Sequence, residues 1–511
     1  MNLASLLDLP SMIAPDAVAL IDATGDGEPR EITYQELRDA VSATAGLLVG
    51  YGVEPGDRVG IYATNSVAAL EVLFAASAVG ATVVPMNYRA GDEEAAHLIS
   101  DSGSKVLFSE TRYRSLIEQV TPDSLEHVNY LDDDYAAARD GADEYPLVAE
   151  VEDNDLATLL YTSGTTSLPK GVKLTHGALT GYIMGANDAA DGSDQGRMLL
   201  AAPLYHVAGL TSLLNSLYSG RITVLMSQFE ATRWLDLVDE TKATHSFLVP
   251  TMLARVIDAE TFDQYDLSSL QAVTYGAAPM PPAVIRRAIA LFPDSVGFSG
   301  AYGQTETTST VAVLGPDDHV LDSPDKERRL RSVGQILDDV NVRIVDPLGN
   351  VLGPNETGEV QLMTYRTMDG YWGAEEKTRV TIDDEGWVHT GDLGHLDEEN
   401  YLFLTGRAGD MIIRGGENIA PEEVEAVLYE HPDVIEAAVV GIPDETWGER
   451  VVAALVVREG ASLDEIYAHA HDHLAGFKRP EKLHLADELP RTSTGKLLRR
   501  HLIPQLQELE D

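Results

Sequence analysis

Residues 162–171 read Thr162-Ser163-Gly164-Thr165-Thr166-Ser167-Leu168-Pro169-Lys170-Gly171, and they lie between two apolar, strand-like runs. Glycines let backbone N–H groups come close to an anion, and successive N–H groups form an anion-binding concavity. The hydroxyls of Thr162, Ser163, Thr165 and Thr166 add donors. Lys170 adds a mobile point charge suited to phosphate oxygens. Serine, threonine and glycine most often mean a plain surface loop. Here Pro169-Lys170-Gly171 stiffens the exit, which favours a phosphate cradle. The segment is not a P-loop, because Pro169 stands where that pattern needs a glycine directly before the lysine. A kinase or motor ATPase is therefore disfavoured.

The elements that must hold this loop follow from periodicity. Residues 156–161 form an apolar run read as a buried strand. Upstream, Thr33-Tyr34-Gln35-Glu36 reads as a capping box opening a helix that ends near Gly50. Residues 57–62, 81–85 and 105–108 read as strands and 66–79 as a helix, a βαβ succession that predicts a parallel sheet. Residues 132–143 are acidic and read as a surface loop. Residues 274–280 read as a strand ending in small residues, which leave room for something flat. Pro421-Glu422-Glu423 starts a helix with acids at its positive end. Strands over 435–441 and 451–457 and a helix over 462–474 complete a compact α+β unit of about 100 residues.

Composition narrows the class. At 511 residues the chain predicts roughly three domain-sized units, or one large domain and a small one. There is no apolar run of about 18 residues, and the start lacks a basic-then-apolar leader, so neither a membrane span nor a signal peptide is expected and a cytoplasmic location is. The absence of cysteine excludes disulfides, thiolate metal sites and a cysteine nucleophile. The net charge of −47 repels nucleic acid and anionic membranes. Nine lysines among so many carboxylates suggest a surface suited to a halophilic, high-salt cytoplasm. That scarcity makes Lys170 and Lys496 stand out.

Residues 161–171 resemble the signature of the adenylate-forming enzymes: acyl-CoA synthetases, amino-acid adenylation domains and beetle luciferases. The family pattern is roughly [YF]-T-S-G-[ST]-T-G-x-P-K-G, and the chain departs at Ser167, where glycine is usual. Further segments resemble the family in order: 203–206, 301–306 (Ala301-Tyr302-Gly303-Gln304-Thr305-Glu306), 390–392 (Thr390-Gly391-Asp392), 406–419 beginning Gly406-Arg407, and 490–496 ending Gly495-Lys496. The resemblance implies an α/β fold, with a large N-terminal domain of parallel and mixed sheets flanked by helices over 1–406, a hinge at 407–410, and a small mobile α+β domain over 411–511. Gly409 stands where the family usually carries the pivot residue, and glycine absorbs large φ/ψ changes.

The same resemblance implies site roles. Thr162, Ser163, Gly164, Thr165, Thr166 and Lys170 grip the phosphates of ATP. Gly276, Ala277, Ala278, Ala301 and Gly303 wall the nucleotide, Tyr302 stacks on adenine, and Thr305 bonds the α-phosphate. Glu306, with Thr165, holds Mg²⁺, as a hard cation usually takes one or two carboxylates plus phosphates. Asp392 takes the ribose hydroxyls, and Arg407 the ribose or phosphate. His206 borders an acyl pocket that includes Val207, Gly209, Tyr275, Gly276 and Thr308, mostly small or apolar, which suits an aliphatic or aryl acid. Lys496 reaches the reacting carboxylate and α-phosphate. Gly415 and Gly416 pass coenzyme A near backbone, and Trp447 stacks on its adenine. The expected activity is that of an ATP-dependent acyl-CoA synthetase. The alternatives are a stand-alone enzyme loading a carrier-protein thiol, a luciferase-like oxidase and a nucleotide sensor. With no carrier segment after Lys496, free coenzyme A is favoured as acceptor. The expected partners are a carboxylic acid, ATP and coenzyme A, with a homodimer left open.

Overall fold

The computed structural model describes residues 1–25, 27–122, 124–147, 149–162, 168–491 and 497–510. The βαβ pattern of the first third folds as expected. The capping box closes at the start of the helix Tyr34–Gly50: Glu36 N–H donates to Thr33 Oγ1, and Thr33 N–H donates to the Glu36 carboxylate. The helix Val67–Ala78 is capped by Ser66 and buried from residue 69 to its end, because it is apolar on every side. Strands Arg58–Tyr62, Thr82–Pro85, Val106–Ser109, His127–Tyr130 and Leu156–Thr162 pair in parallel, and Lys170–Thr175 closes this six-stranded sheet antiparallel.

The acidic stretch 132–143 departs from its reading as a surface loop. Residues Asp133–Asp140 form a helix, with the Asp132 carboxylate accepting from Asp134 N–H. The anchor is Tyr135, which is buried and donates to the buried Glu71 carboxylate at 2.7 Å, while Arg139 pairs with the same carboxylate at 2.9 Å. The buried aromatic and the arginine on one helical face outweigh the three acids of the helix, Asp133, Asp134 and Asp140.

A second, nine-stranded sheet has six central parallel strands: Gly297–Gln304, Ala272–Gly276, His245–Leu248, Arg197–Leu200, Ile222–Leu225 and Val18–Asp22. The helix Val207–Ser219 lies between this sheet and the first core. Its Leu210, Leu213, Leu214 and Leu217 pack into the core shared with Val67–Ala78, and Ala208 packs toward the second core. A four-stranded antiparallel sheet follows, ending with Val388–Leu396 and Leu402–Arg407. Beyond it, Ile412–Arg414, Glu417–Ile419, Val434–Asp444, Gly448–Val457 and Lys482–Leu485 make a separate sheet with its own core, including Val424, Leu428, Val439, Leu455 and Ile466. The fold is thus α/β, with a large N-terminal part and a small C-terminal one. The last helix, Arg499–Glu510, is tied inward by Arg499, which pairs with Glu425 at 2.8 Å, Glu422 at 3.1 Å and Asp410 at 3.7 Å. Among the described residues no helix is long and apolar enough to cross a membrane.

Arg366 is the most consequential buried charge. It is 1% exposed, pairs with Asp339 at 2.6 Å, and donates to the carbonyls of Thr307, Thr308 and Thr310. Removing one partner of a buried pair leaves an uncompensated charge. Arg366→Ala is expected to lower the unfolding free energy by about 3 kcal/mol, measured by urea denaturation. An unchanged midpoint and slope would show that the clamp carries no stability.

Candidate active site

Ligands of open α/β sheets sit at the carboxyl ends of parallel strands. A cavity of about 1200 Å³ opens there, at the ends of both large sheets. Thr162 and Lys170 are cross-strand partners at the rim of the first sheet, and both line the cavity with Leu168 and Pro169. Ser163, Gly164, Thr165 and Thr166 lie outside the described residues. The Lys170 ammonium is held below the ordinary lysine value, first by burial and then by the charge of Lys377, against the pull of Glu306. Three charges thus face one space.

The second sheet contributes Ala277, Ala301, Gly303, Thr305 and Glu306 to the wall. Thr305 and Glu306 sit in a short 3₁₀ turn after the strand Gly297–Gln304. Thr308 and Ser309 then adopt φ of 50° and 80°, and Ala277 adopts 67°. Non-glycine residues in the left-handed region cost about 1–3 kcal/mol each and persist where the surroundings over-determine them. Here the Arg366 contacts and a bond from the Thr308 hydroxyl to the Arg366 carbonyl at 2.6 Å supply that constraint. Gly303 is needed for a close approach, since a Cβ there would lie 1.8 Å from the Ser309 carbonyl oxygen.

Several expected site residues lie off the cavity wall. Tyr302 is not on the wall; its hydroxyl donates to Asp392 at 2.6 Å, and burial followed by that carboxylate raises its pKa. Asp392 is buried behind Thr390 and Gly391, which do line the cavity, and its carboxylate accepts from Tyr302, Gln304 and Arg407. A carboxylate has about four acceptor positions, so two ribose hydroxyls require one of these donors to yield. Tyr275 points into the second core and shares a hydrogen bond with His319 at 2.8 Å. Thr308 is fully buried, bonded to Arg366, and off the wall. Gly209 and Gly276 are packing glycines: a Cβ would lie 2.1 Å from the Pro203 carbonyl oxygen and 2.3 Å from that of Ala301 respectively. Ala278 is half-buried but does not line the cavity. Strand alternation accounts for Tyr302, which lies between the wall residues Ala301 and Gly303 on the strand Gly297–Gln304.

His206 and Val207 do line the cavity. His206 also caps the helix Val207–Ser219, with Nδ1 accepting from Ala208 N–H at 3.4 Å. Along this helix the wall continues through Ala208, Thr211, Ser212 and Asn215, a row at helical i, i+3, i+4 spacing. The acyl side is therefore more polar than the sequence suggested. The nucleotide side adds Arg407, Gly409 and Asp410, and the C-terminal part adds Arg491, Leu498, Arg500 and His501. Lys496 lies outside the described residues, between Arg491 and Leu498. Gly415 and Gly416, with φ of 60° and 89°, form the turn before Glu417–Ile419, away from this cavity. Trp447 stands beside them, 51% exposed, its carbonyl accepting from Gly415 N–H at 2.7 Å.

Sequence reasoning missed Gln304, Tyr371, Lys377 and His389, all on the wall. Lysine scarcity was a usable signal for Lys377. Nothing local marked Tyr371, whose hydroxyl donates to Glu306 Oε1 at 2.8 Å across 65 positions of sequence. That bond leaves the other Glu306 oxygen for a cation. No cluster of three or more ligating side chains occurs among the described residues. The donor set therefore fits Mg²⁺ carried on nucleotide phosphates and steadied by one carboxylate, not a caged metal.

Residues 12–372 match the AMP-binding enzyme family, and residues 423–496 match the AMP-binding enzyme C-terminal domain. A feruloyl-CoA synthase from Amycolatopsis is 36% identical, with 92% of each chain covered. A fatty acid–[acyl-carrier-protein] ligase, ScoC, from Streptomyces coeruleorubidus is 34% identical, covering 93% of this chain and 92% of that one. ATP-bound MatB from Rhodopseudomonas palustris superposes with a TM-score of 0.88 at 28% identity over the whole of both chains. The chain belongs to the AMP-binding enzyme family, within the adenylate-forming superfamily.

If Tyr371 steadies Glu306, Tyr371→Phe loses a hydrogen bond to a charged group, worth about 1.5 kcal/mol. The Mg²⁺ concentration giving half-maximal activity is then expected to rise roughly tenfold. An unchanged Mg²⁺ titration would remove Tyr371 from this role.

Proposed function

We propose that this acid–thiol ligase is an ATP-dependent acyl-CoA synthetase that activates an aliphatic or aryl carboxylic acid as its adenylate. The observation that carries the reading is one cavity lined by Lys170, Glu306, Arg407 and the two residues bracketing Lys496. A carboxylate oxygen of the acid attacks the α-phosphorus of ATP, the bond to the bridging oxygen breaks, and pyrophosphate leaves with that electron pair. The coenzyme A thiolate then attacks the acyl carbonyl, and AMP departs with the carboxylate-derived oxygen.

The chain's residues position and neutralise. Lys170 and Lys377 face the leaving phosphates, Arg407 lies at the ribose side with Asp392 behind it, and Thr305 donates to the α-phosphate. Bound Mg²⁺ would supply charge neutralisation on the phosphates, held by Glu306 with Thr165. Lys496 enters for the first step and is withdrawn for the second by rotation about residues 407–410. Gly409 has open space where a Cβ would be, so it does not obstruct that turn. Rotation would also exchange the Arg499–Asp410 contact. Gly415, Gly416 and the exposed Trp447 ring then receive coenzyme A. Loading of a carrier-protein thiol is the second reading, favoured by the likeness to ScoC. Adaptation to high salt and a cytoplasmic setting belong to the same proposal, on the strength of the −47 charge.

The test separates the half-reactions. Lys496→Ala is expected to lower pyrophosphate release by about 10³-fold, while thioester formation from supplied acyl-adenylate stays within a few-fold. Equal loss of both would contradict the rotating lysine. Thioester appearing only with a carrier protein would transfer the assignment to the second reading.

A further inference from the structure

Where the cavity reaches the amino ends of the second sheet's strands, it holds an arginine without a carboxylate. The strands His245–Leu248 and Ile222–Leu225 flank Arg197–Leu200 on its two sides. His245 opens the first of these strands, and Arg221 directly precedes the second. Both line the cavity, together with Met198, Ser246 and Ala272. Arg221 uses Nε to donate to the Gln195 carbonyl at 3.1 Å, and no Asp or Glu among the described residues lies within ion-pair reach of it. In a chain with 83 acidic residues against 36 basic ones, an unpaired half-buried guanidinium is out of character. Burial holds its pKa down.

His245 completes the pair. Its Nδ1 lies 2.7 Å from the Thr244 hydroxyl, which leaves Nε2 without a protein partner among the described residues. Burial, then the Arg221 charge, lowers its pKa to about 4, so the ring is neutral at pH 7. The approach is polar as well: Thr211, Ser212 and Asn215 replace the apolar residues that a plain hydrocarbon tunnel would need. His245 is in register with Ala272, five residues before Ala277 at the reacting end, a separation of roughly 16 Å at strand rise.

We infer that the acid activated here carries an oxygen function, a hydroxyl or a second carboxylate, at the end remote from the reacting carboxyl group, received by Arg221 and His245. The inference rests on the adenylation reading and narrows its substrate. An unsubstituted chain would bury polar groups without partners, which is how a site built for hydrogen bonds rejects an analogue lacking them. The span fits an extended acid and is too long for acetate.

The experiment is acid-dependent pyrophosphate release with ω-hydroxy and α,ω-dicarboxylic acids against unsubstituted fatty acids of equal length, across medium and long chains. The expected result is a kcat/KM ratio of at least about tenfold for one oxygenated series. Arg221→Met should bring that ratio near one chiefly by raising KM, and Arg221→Lys should restore part of it. If Arg221→Met instead lowers both series equally, its role is structural and the inference is overturned. Wild-type preference for unsubstituted chains overturns it as well. Pyrophosphate release with no acid of any kind would fail the adenylation reading itself, an outcome distinct from these.

Discussion

The guanidinium of Arg366 holds in place the turn from which the site's carboxylate projects. It donates to the backbone carbonyls of Thr307, Thr308 and Thr310, around Thr308 and Ser309, both of which sit in the left-handed region. Without those donors the carbonyls would be buried and unpaired, and nothing would balance the strain. Glu306 and Thr305 are set by the near side of this turn. On the far side, the Ser309 hydroxyl lies 3.2 Å from that of Thr211 on the helix that walls the acyl side. One buried cation thus couples the nucleotide and acyl halves of the cavity through rigid, short contacts.

Charge distribution gives the cavity its selectivity. The surface of a −47 chain repels anions, yet Lys170, Lys377, Arg407, Arg491, Arg500 and Arg221 all line one cavity. The carboxylates on the same wall are fewer, Glu94, Glu306 and Asp410, and a cleft in which one sign of charge predominates focuses the field and concentrates a counter-ion. Anionic ligands such as ATP and a carboxylate are drawn to a cavity where cations predominate. Burial, and then the charge of Lys377, holds the Lys170 ammonium less firmly protonated than usual, and an arriving phosphate opposes both.

Much of the fold was legible because it rests on local signals. The Thr33 capping box, the buried strand read at 156–161 and the small unit beginning at Pro421 each depend on periodicity and caps within a few residues. The helix at Asp133–Asp140 was hidden because its one anchor, Tyr135, is bonded to a carboxylate 64 positions away. The cavity wall was legible where a motif residue meets it, as with Lys170, Thr305, Glu306 and Arg407. Other matched residues bond their neighbours in this structure and stand behind the wall: Tyr302 with Asp392, and Thr308 with Arg366. Strand alternation and long-range pairing decide which member of a motif faces inward, and neither is written in adjacent residues. Arg221 and His245 belong to no motif; parallel strand order alone brings them together.

The central claim is that this cavity joins a carboxylate to the α-phosphate of ATP before any thiol is involved. Exchange of labelled pyrophosphate into ATP measures that step directly. The account predicts exchange that requires the acid and Mg²⁺ and proceeds without coenzyme A. Exchange that appears only when coenzyme A is present, or that ignores the acid, would contradict it.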